Sequence, residues 1–147
     1  MSNPDPSTQM SYEDVQKIIR DTDNLKSQLN LFIQQSEILS HSINDLEGSL
    51  KSLAEIKSRN NDEEAILLPL GSHILVEANL KSKNSVLFDL GSNIVQELDF
   101  EDAKQKIDFR LEELKKSKQI LATNIIQLRN EISSRENFLN QLVPASK

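Results

Sequence analysis

The sequence has 147 residues and a net charge of −6, with 27% charged and 4% aromatic residues and neither tryptophan nor cysteine. This acidic balance argues against nucleic-acid binding, which usually needs a basic face, and against binding to an acidic membrane surface. Without cysteine the chain has no disulfide, thiol nucleophile or zinc–thiolate site. Few aromatics, little glycine and many charges are typical of long helices with a narrow apolar seam.

The chain begins with a polar, proline-containing stretch, MSNPDPSTQMS, for which we predict a disordered tail over residues 1–11. This stretch lacks the apolar core of a signal peptide, and no uncharged apolar run in the chain is long enough to span a bilayer. We therefore expect a soluble, cytoplasmic protein. Ser11 can cap the helix that follows, with Glu13 and Asp14 in its first turn.

Residues 12–57 have a heptad pattern whose first a position is Val15. Every d position is large and apolar, which predicts a coiled-coil helix. These d residues are Ile18, Leu25, Phe32, Leu39, Leu46 and Leu53. The polar run SRNNDEE over residues 58–64 breaks the pattern and predicts a loop.

Residues 65–100 nearly repeat themselves, because LLPLGSHILVEANL aligns with LFDLGSNIVQELDF. Each copy has apolar residues, a Gly-Ser turn signal, and then alternating apolar and polar residues. This pattern predicts a β-hairpin in each copy, with strands over 66–70, 73–80, 85–90 and 93–98 and a polar turn over 81–84. We interpret residues 58–100 as a two-hairpin assembly module.

The strands are expected to join other subunits, because four short strands leave open edges. They also carry more apolar side chains than one small sheet can cover. The strand residues that we expect at this assembly surface are Leu67, Leu70, Ile74, Val86, Phe88, Leu90 and Ile94.

A second heptad helix is predicted over residues 101–143, with Asp99 as its N-cap and Asp102 as the acid of a capping box. Pro144 ends the helix and leaves a tail over 144–147. The two helices have equal length and are joined through one module, so they should pair in antiparallel fashion. The predicted fold class is α+β: a long antiparallel two-helix coiled coil with two β-hairpins between the helices.

Polar residues interrupt both heptad seams. If Lys57 lies near Asp102, Thr22 falls about opposite Arg135, and a second pair, Ser36 and Lys118, lies within a turn. Matched polar layers can fix the register of a coiled coil. Coincidence explains the match equally well.

The residues that could support catalysis are sparse, and we predict that the chain is not an enzyme and binds no cofactor or metal. His41 falls at an exposed f position, and His73 begins a strand, so neither predicts a ligand site. The chain has no Gly-Lys-Ser/Thr phosphate loop. Glu77 and Glu97 occupy equivalent places in the repeat, but alternating strands explain them as solvent-facing residues.

Several large apolar residues lie outside the seam, in the half of the helical pair farthest from the strands. They either broaden the seam or form exposed patches that bind other molecules. These residues are Ile19, Leu31, Ile33, Ile38, Ile126, Phe138 and Val143. As a candidate binding site at the tip of the helical pair we take Val15, Ile18, Ile19, Phe138, Leu139, Leu142 and Val143.

The order helix, two hairpins, helix resembles the prefoldin alpha subunit family, with PLGS in the first hairpin and DLGSN in the second. The helix entry LDFEDAKQKID is also similar to that family. The resemblance covers about residues 15–142, and the second hairpin points to the alpha class.

The resemblance implies a heterohexamer of two alpha and four beta subunits, whose strands close into a double β-barrel platform. Six coiled coils would hold unfolded polypeptides at their tips without ATP and pass them to a group II chaperonin. Nucleic acid and membranes are not expected partners. An alternative is a structural coiled-coil scaffold or adaptor that binds folded partners, which would need no exposed apolar tips.

Overall fold

The computed structural model describes residues 10–59, 65–81 and 84–142. The elements follow the order α1 (Tyr12–Ser58), β1 (Ile66–Gly71), β2 (Ile74–Ala78), β3 (Ser85–Gly91), β4 (Ile94–Asp99) and α2 (Phe100–Leu142). Residues 1–9 of the predicted tail over 1–11, and the whole predicted tail over 144–147, lie outside the described residues. So do residues 60–64 of the predicted loop over 58–64, and residues 82 and 83 of the predicted turn. No helix in the described ranges is long and apolar enough to cross a membrane.

Side-chain caps fix the starts of both helices. The Ser11 hydroxyl accepts a hydrogen bond from the Asp14 backbone N–H at 3.2 Å, and the Asp14 carboxylate accepts one from the Ser11 N–H at 3.2 Å. This reciprocal pair is a capping box, in which the side chains of Ser11 and Asp14 each accept a hydrogen bond from the other residue's backbone N–H. At α2, the Asp102 N–H donates to the Asp99 carboxylate at 2.7 Å, which confirms Asp99 as the predicted N-cap.

The described strands form two separate two-stranded antiparallel sheets, β1 with β2 and β3 with β4. Each hairpin closes through two residues with positive φ, Ser72 and His73 in the first and Ser92 and Asn93 in the second. Two consecutive left-handed residues form the tight turn that matches the twist of paired strands. The second strand therefore begins at Ile74, one residue later than predicted, because His73 belongs to the turn.

The glycine before each turn also has a positive φ, 103° at Gly71 and 87° at Gly91. The pairing register shifts beside each of them, between Pro69 and Gly71 in the first hairpin and between Asp89 and Gly91 in the second. A bulge with glycine in a left-handed conformation produces such a shift. The Gly-Ser pair that is repeated in the sequence thus corresponds to a bulge followed by a turn in each hairpin.

The chain divides into two compact units. Unit two, residues 41–116, holds both hairpins and the segments of α1 and α2 that flank them. Its core contains Ile43, Ile107 and Leu111. The ion pairs Glu47–Lys115 at 2.7 Å and Lys57–Glu101 at 3.3 Å show that the helices run antiparallel there.

Unit one consists of residues 1–40 and 117–147, so its described part holds the N-terminal portion of α1 and the C-terminal portion of α2. Leu121, Ile125 and Ile132 of α2 are buried. The Lys26–Glu136 ion pair, at 2.6 Å, gives the same antiparallel direction. In this unit α2 thus buries a and d residues, and the apolar a and d residues of α1 are half-buried, as in a two-helix seam.

Two polar residues of the seam, Thr22 and Arg135, have partners on their own helices. Thr22 is only 3% exposed, and its hydroxyl donates to the Ile18 carbonyl at 2.7 Å. Arg135 forms an ion pair with Glu131 at 2.7 Å. Lys57 contacts Glu101, one residue from the predicted neighbour Asp102. Thr22 and Arg135 thus have partners on their own helices, whereas Lys57 contacts the other helix.

Candidate functional site

The first hairpin exposes apolar side chains on both faces. Residues that pair across an antiparallel ladder share a face, so Leu67 lies with Glu77, and Pro69 with Leu75. The opposite face pairs Leu68 with Val76 and Ile66 with Ala78. Leu67, Leu68, Leu75 and Val76 are all exposed. Neither face of this hairpin is therefore shielded from solvent by the described residues.

The second hairpin differs, because one of its faces packs on helical residues. That face carries the pairs Val86–Leu98 and Phe88–Gln96. Leu98 is buried, and Phe88 packs against the core of Ile43, Ile107 and Leu111. The other face leaves Leu87 and Val95 exposed.

The predicted assembly residues fall into two groups. Leu67, Leu70, Ile74, Leu90 and Ile94 are exposed. Val86 and Phe88 are half-buried, and the Lys106 ammonium lies 5.8 Å from the centroid of the Phe88 ring, within cation–π range. Phe88 thus packs the second hairpin on a core formed by both helices, and the five exposed residues remain available to another chain.

The predicted tip residues lie in the first turns of α1 and the last turns of α2, which we call the arm tip. Ile19, Phe138 and Leu142 are exposed. Val15, Ile18 and Leu139 are half-buried, as their a and d positions predict. Val143 lies outside the described residues. Tyr12 was not among the predicted tip residues, although it is 78% exposed at the first position of α1.

A shallow groove of about 420 Å³ runs along unit one, and we call it the arm groove. Its apolar lining comes from adjacent c and d heptad positions on both helices: Ile38, Leu39, Ile120 and Leu121. Gln35, Ser117 and Asn124 form its polar margin. Ile120 was not predicted as a candidate, because a lone apolar c position looks like an ordinary surface residue until Ile38 is found on the same groove.

The Lys26–Glu136 ion pair, which joins the two helices of unit one, lies on the opposite flank of the seam from the groove. Lys26 and Glu136 are both e residues, whereas Gln35, Ser117 and Asn124 are g residues. The Glu136 carboxylate accepts a hydrogen bond from the Lys26 ammonium and raises the pKa of Lys26 above its usual value of 10.5. The Lys26–Glu136 pair therefore lies on the flank opposite the groove, and the residues that line the groove are uncharged.

The groups considered for catalysis lie apart on the surface. His41 is exposed at its f position, and His73 is exposed in the first turn. Glu97 accepts a hydrogen bond from the Ser85 hydroxyl at 2.7 Å, and Glu77 lies on the other hairpin. Among the described residues, no group of three or more His, Cys, Asp or Glu side chains is placed to hold a metal ion.

The family model for prefoldin subunits matches residues 25–145, which include the two hairpins and most of both helices. The chain belongs to the prefoldin family. Prefoldin is a chaperone family, and the predicted family resemblance is confirmed.

Individual prefoldin relatives agree on the alpha class. Prefoldin subunit alpha of Thermococcus onnurineus is 26% identical over 101 residues, which is 69% of each chain. Prefoldin subunit alpha of Methanobrevibacter smithii is 22% identical over 131 residues, 89% of this chain and 88% of the relative.

Among solved structures, a chain of filamentous PFD from Methanocaldococcus jannaschii superposes with a TM-score of 0.65 at 24% identity. The superposition covers 81% of this chain and 95% of that one. This similarity confirms the predicted fold, in which two antiparallel hairpins lie between two long helices.

Proposed function

We propose that the chain is the alpha-class subunit of a cytoplasmic, ATP-independent prefoldin hexamer containing two alpha and four beta subunits. The complex captures unfolded proteins with its coiled-coil tips and delivers them to a group II chaperonin. The observation that carries this proposal is the apolar surface of the arm tip, where Ile19, Phe138 and Leu142 are exposed close to the ends of the two helices.

Capture by such a surface is physically reasonable. Burying a large apolar side chain contributes about 1.5–3 kcal/mol, and this interaction is not directional, so clients of unrelated sequence can bind. Each contact is weak and reversible. Several arms that hold one client together would raise the apparent affinity through their high effective concentration.

The hairpins support the assembly part of the proposal. The first hairpin exposes apolar residues on both faces, and an isolated two-stranded sheet is only marginally stable in water. Pairing with strands of other subunits would cover these faces and satisfy the open strand edges. A closed β-barrel platform meets both requirements, because a barrel has no edges.

The experiment is the aggregation of a chemically denatured client in the presence of the hexamer, reconstituted with a beta-class subunit and without nucleotide. We expect the wild-type complex to suppress aggregation, and a complex with Val15, Ile19, Phe138 and Leu142 all changed to serine to suppress it much less. The double variant Ile19→Ser with Phe138→Ser changes only exposed residues and checks that the loss is not due to unfolding.

Phe109→Ser is the control, because Phe109 is exposed on α2 within unit two and does not belong to the tip. Full suppression by both tip variants would refute client capture at the tips. Tight binding to one folded protein, together with indifference to the denatured client, would favour the scaffold alternative.

A further inference from the structure

The second hairpin has one face that is exposed to solvent, while its other face packs on the helical core. The exposed face carries Leu87 and Val95, which are 75% and 54% exposed. Leu87 pairs with Glu97, and Asp89 pairs with Val95, so these four side chains share one side of the sheet. We call these four residues the outer face of the second hairpin. Large apolar residues exposed side by side and rimmed by charge are typical of a binding surface.

The internal repeat shows that charge distinguishes this face from its counterpart on the first hairpin. The equivalent residues there are Leu67, Pro69, Leu75 and Glu77, which also share one face. The first hairpin therefore has the same apolar pair with a single carboxylate. Asp89 occupies the place of Pro69 and gives the outer face a second carboxylate. The two hairpins thus offer similar apolar contacts but different charge.

Hydrogen bonds hold both carboxylates of the outer face at fixed positions. Asp89 accepts a hydrogen bond from the Gly91 backbone N–H at 2.8 Å, and Glu97 accepts one from the Ser85 hydroxyl at 2.7 Å. Both side chains are exposed, and neither forms an ion pair with a described residue. The outer face therefore presents two positioned acidic groups beside its apolar pair, and neither is neutralised by a nearby cation of the described chain.

The hairpins of a second copy cannot supply cations to this face. The four strands contain no lysine or arginine. In the helical segments of unit two, Lys104, Arg110 and Lys115 already form ion pairs within the chain. A hairpin of a second copy would bring apolar residues and carboxylates only, and like charges that face each other across an interface are destabilising.

We propose that the outer face of the second hairpin binds a strand surface of the beta-class subunit on which lysine or arginine side chains lie beside apolar residues. The inference rests on the proposed function and specifies the chemistry by which this hairpin recognises its partner. The partner's apolar residues would cover Leu87 and Val95, and its cations would pair with Asp89 and Glu97.

The two carboxylates select this partner because they cannot be buried alone. A carboxylate that loses its hydration at an interface and finds no cation is strongly unfavourable, whereas a cation opposite it offsets that cost. The apolar pair therefore contributes attraction to many surfaces, and the charge excludes acidic and neutral ones. This division lets the second hairpin reject a copy of its own chain and accept a basic partner.

The test measures the concentration of a beta-class prefoldin subunit at which half of the chain is assembled, by native mass. The double variant Asp89→Asn with Glu97→Gln removes both charges and keeps side-chain oxygens that can accept the hydrogen bonds from Gly91 and Ser85. It should assemble about fivefold more weakly than the wild type, which corresponds to about 1 kcal/mol. The difference should nearly vanish at about 1 M salt, where charges are screened within about 3 Å.

The control is Glu37→Gln with Glu112→Gln, which removes the same two charges from exposed positions on α1 and α2. It should change the half-assembly concentration less than twofold, because neither residue belongs to a hairpin. Circular dichroism should show equal helicity and equal thermal unfolding for the isolated wild type and both variants, so that a change in assembly reports the interface and not the fold.

The outcomes separate this inference from the proposed function. If the wild type assembled and the Asp89/Glu97 variant assembled equally tightly or more tightly, recognition by charge would be overturned and the hexamer would stand. If the wild type did not assemble with the beta-class subunit at low or high salt, the proposed function would fall and the inference with it. If the isolated wild type self-associated and Leu87→Ser with Val95→Ser abolished that association, the face would bind a second copy, which would also overturn the inference.

Discussion

At the scale of single residues, short polar side chains define where the helices start. Ser11 with Asp14 and Asp99 with Asp102 could be predicted from the sequence, because a cap depends only on residues three positions apart. The hydrogen-bond and ion-pair partners of the polar seam residues could not be predicted. Arg135 pairs with Glu131 on its own helix, and nothing in the heptad pattern distinguishes this partner from one on the other helix.

The Asp99 cap gives the first prediction. Asp99→Ala removes the acceptor of the Asp102 N–H and should lower the free energy of unfolding by about 1 kcal/mol. Asp99→Asn keeps a side-chain oxygen that can accept this hydrogen bond and should lower the free energy of unfolding much less. Urea unfolding followed by circular dichroism measures both, and equal stability of the alanine variant and the wild type would contradict the assignment of the cap.

The Lys26–Glu136 ion pair gives a prediction of pH dependence. Because Glu136 raises the pKa of Lys26, the pair stabilises the fold at pH values below the ordinary lysine pKa of 10.5. This contribution is lost as the pH rises through the higher pKa of the folded state. NMR titration of the Lys26 side chain should show its pKa fall toward 10.5 in the Glu136→Gln variant; the same pKa in both proteins would refute the pairing.

At the scale of elements, the hairpins show what a repeat predicts. The repeated Gly-Ser marked both turns, because left-handed conformations are rare and glycine adopts them readily. The sequence did not predict that the second hairpin packs on the helical core while the first remains uncovered. Both copies have alternating apolar residues, and the difference appears only in the fold, where Phe88 packs beside Ile107 and Leu111 and Leu98 is buried.

Replacing glycine by alanine should change the stability of the protein in opposite directions in a hairpin and in a helix. Gly71 has a φ of 103°, so Gly71→Ala should destabilise the protein by about 1–2 kcal/mol. Gly48 lies within α1, and a Cβ there would meet no atom within 4 Å, so Gly48→Ala should stabilise it by about 1 kcal/mol. Thermal unfolding of both variants tests this contrast, and shifts of the same sign would contradict it.

At the scale of the whole molecule, two sequence patterns distinguish the proposed assembly region, which has the hairpin repeat, from the arm, which has heptads. Heptads and hairpins are local patterns, so the fold class and the two hairpins could be predicted. The arm groove could not, because Ile38 and Ile120 meet only when the two helices pair in the observed register.

The uncovered first hairpin predicts a variant that assembles poorly. Leu67 and Leu75 lie on the same exposed face, so Leu67→Asp with Leu75→Asp should block burial of this face against another subunit. The isolated chain should keep its helicity, because neither residue is buried. Tyr12→Asp, at an exposed position on the arm tip, is the control and should assemble normally in size-exclusion chromatography.

The most direct test of the proposed assembly is the native mass of the chain with and without a beta-class prefoldin subunit. We expect a hexamer of two copies of this chain with four copies of the beta-class subunit, which fails to form when the Leu67/Leu75 variant is used. A chain that stays monomeric beside the beta-class subunit, or a hexamer that forms equally well with the Leu67/Leu75 variant, would contradict assembly through the first hairpin.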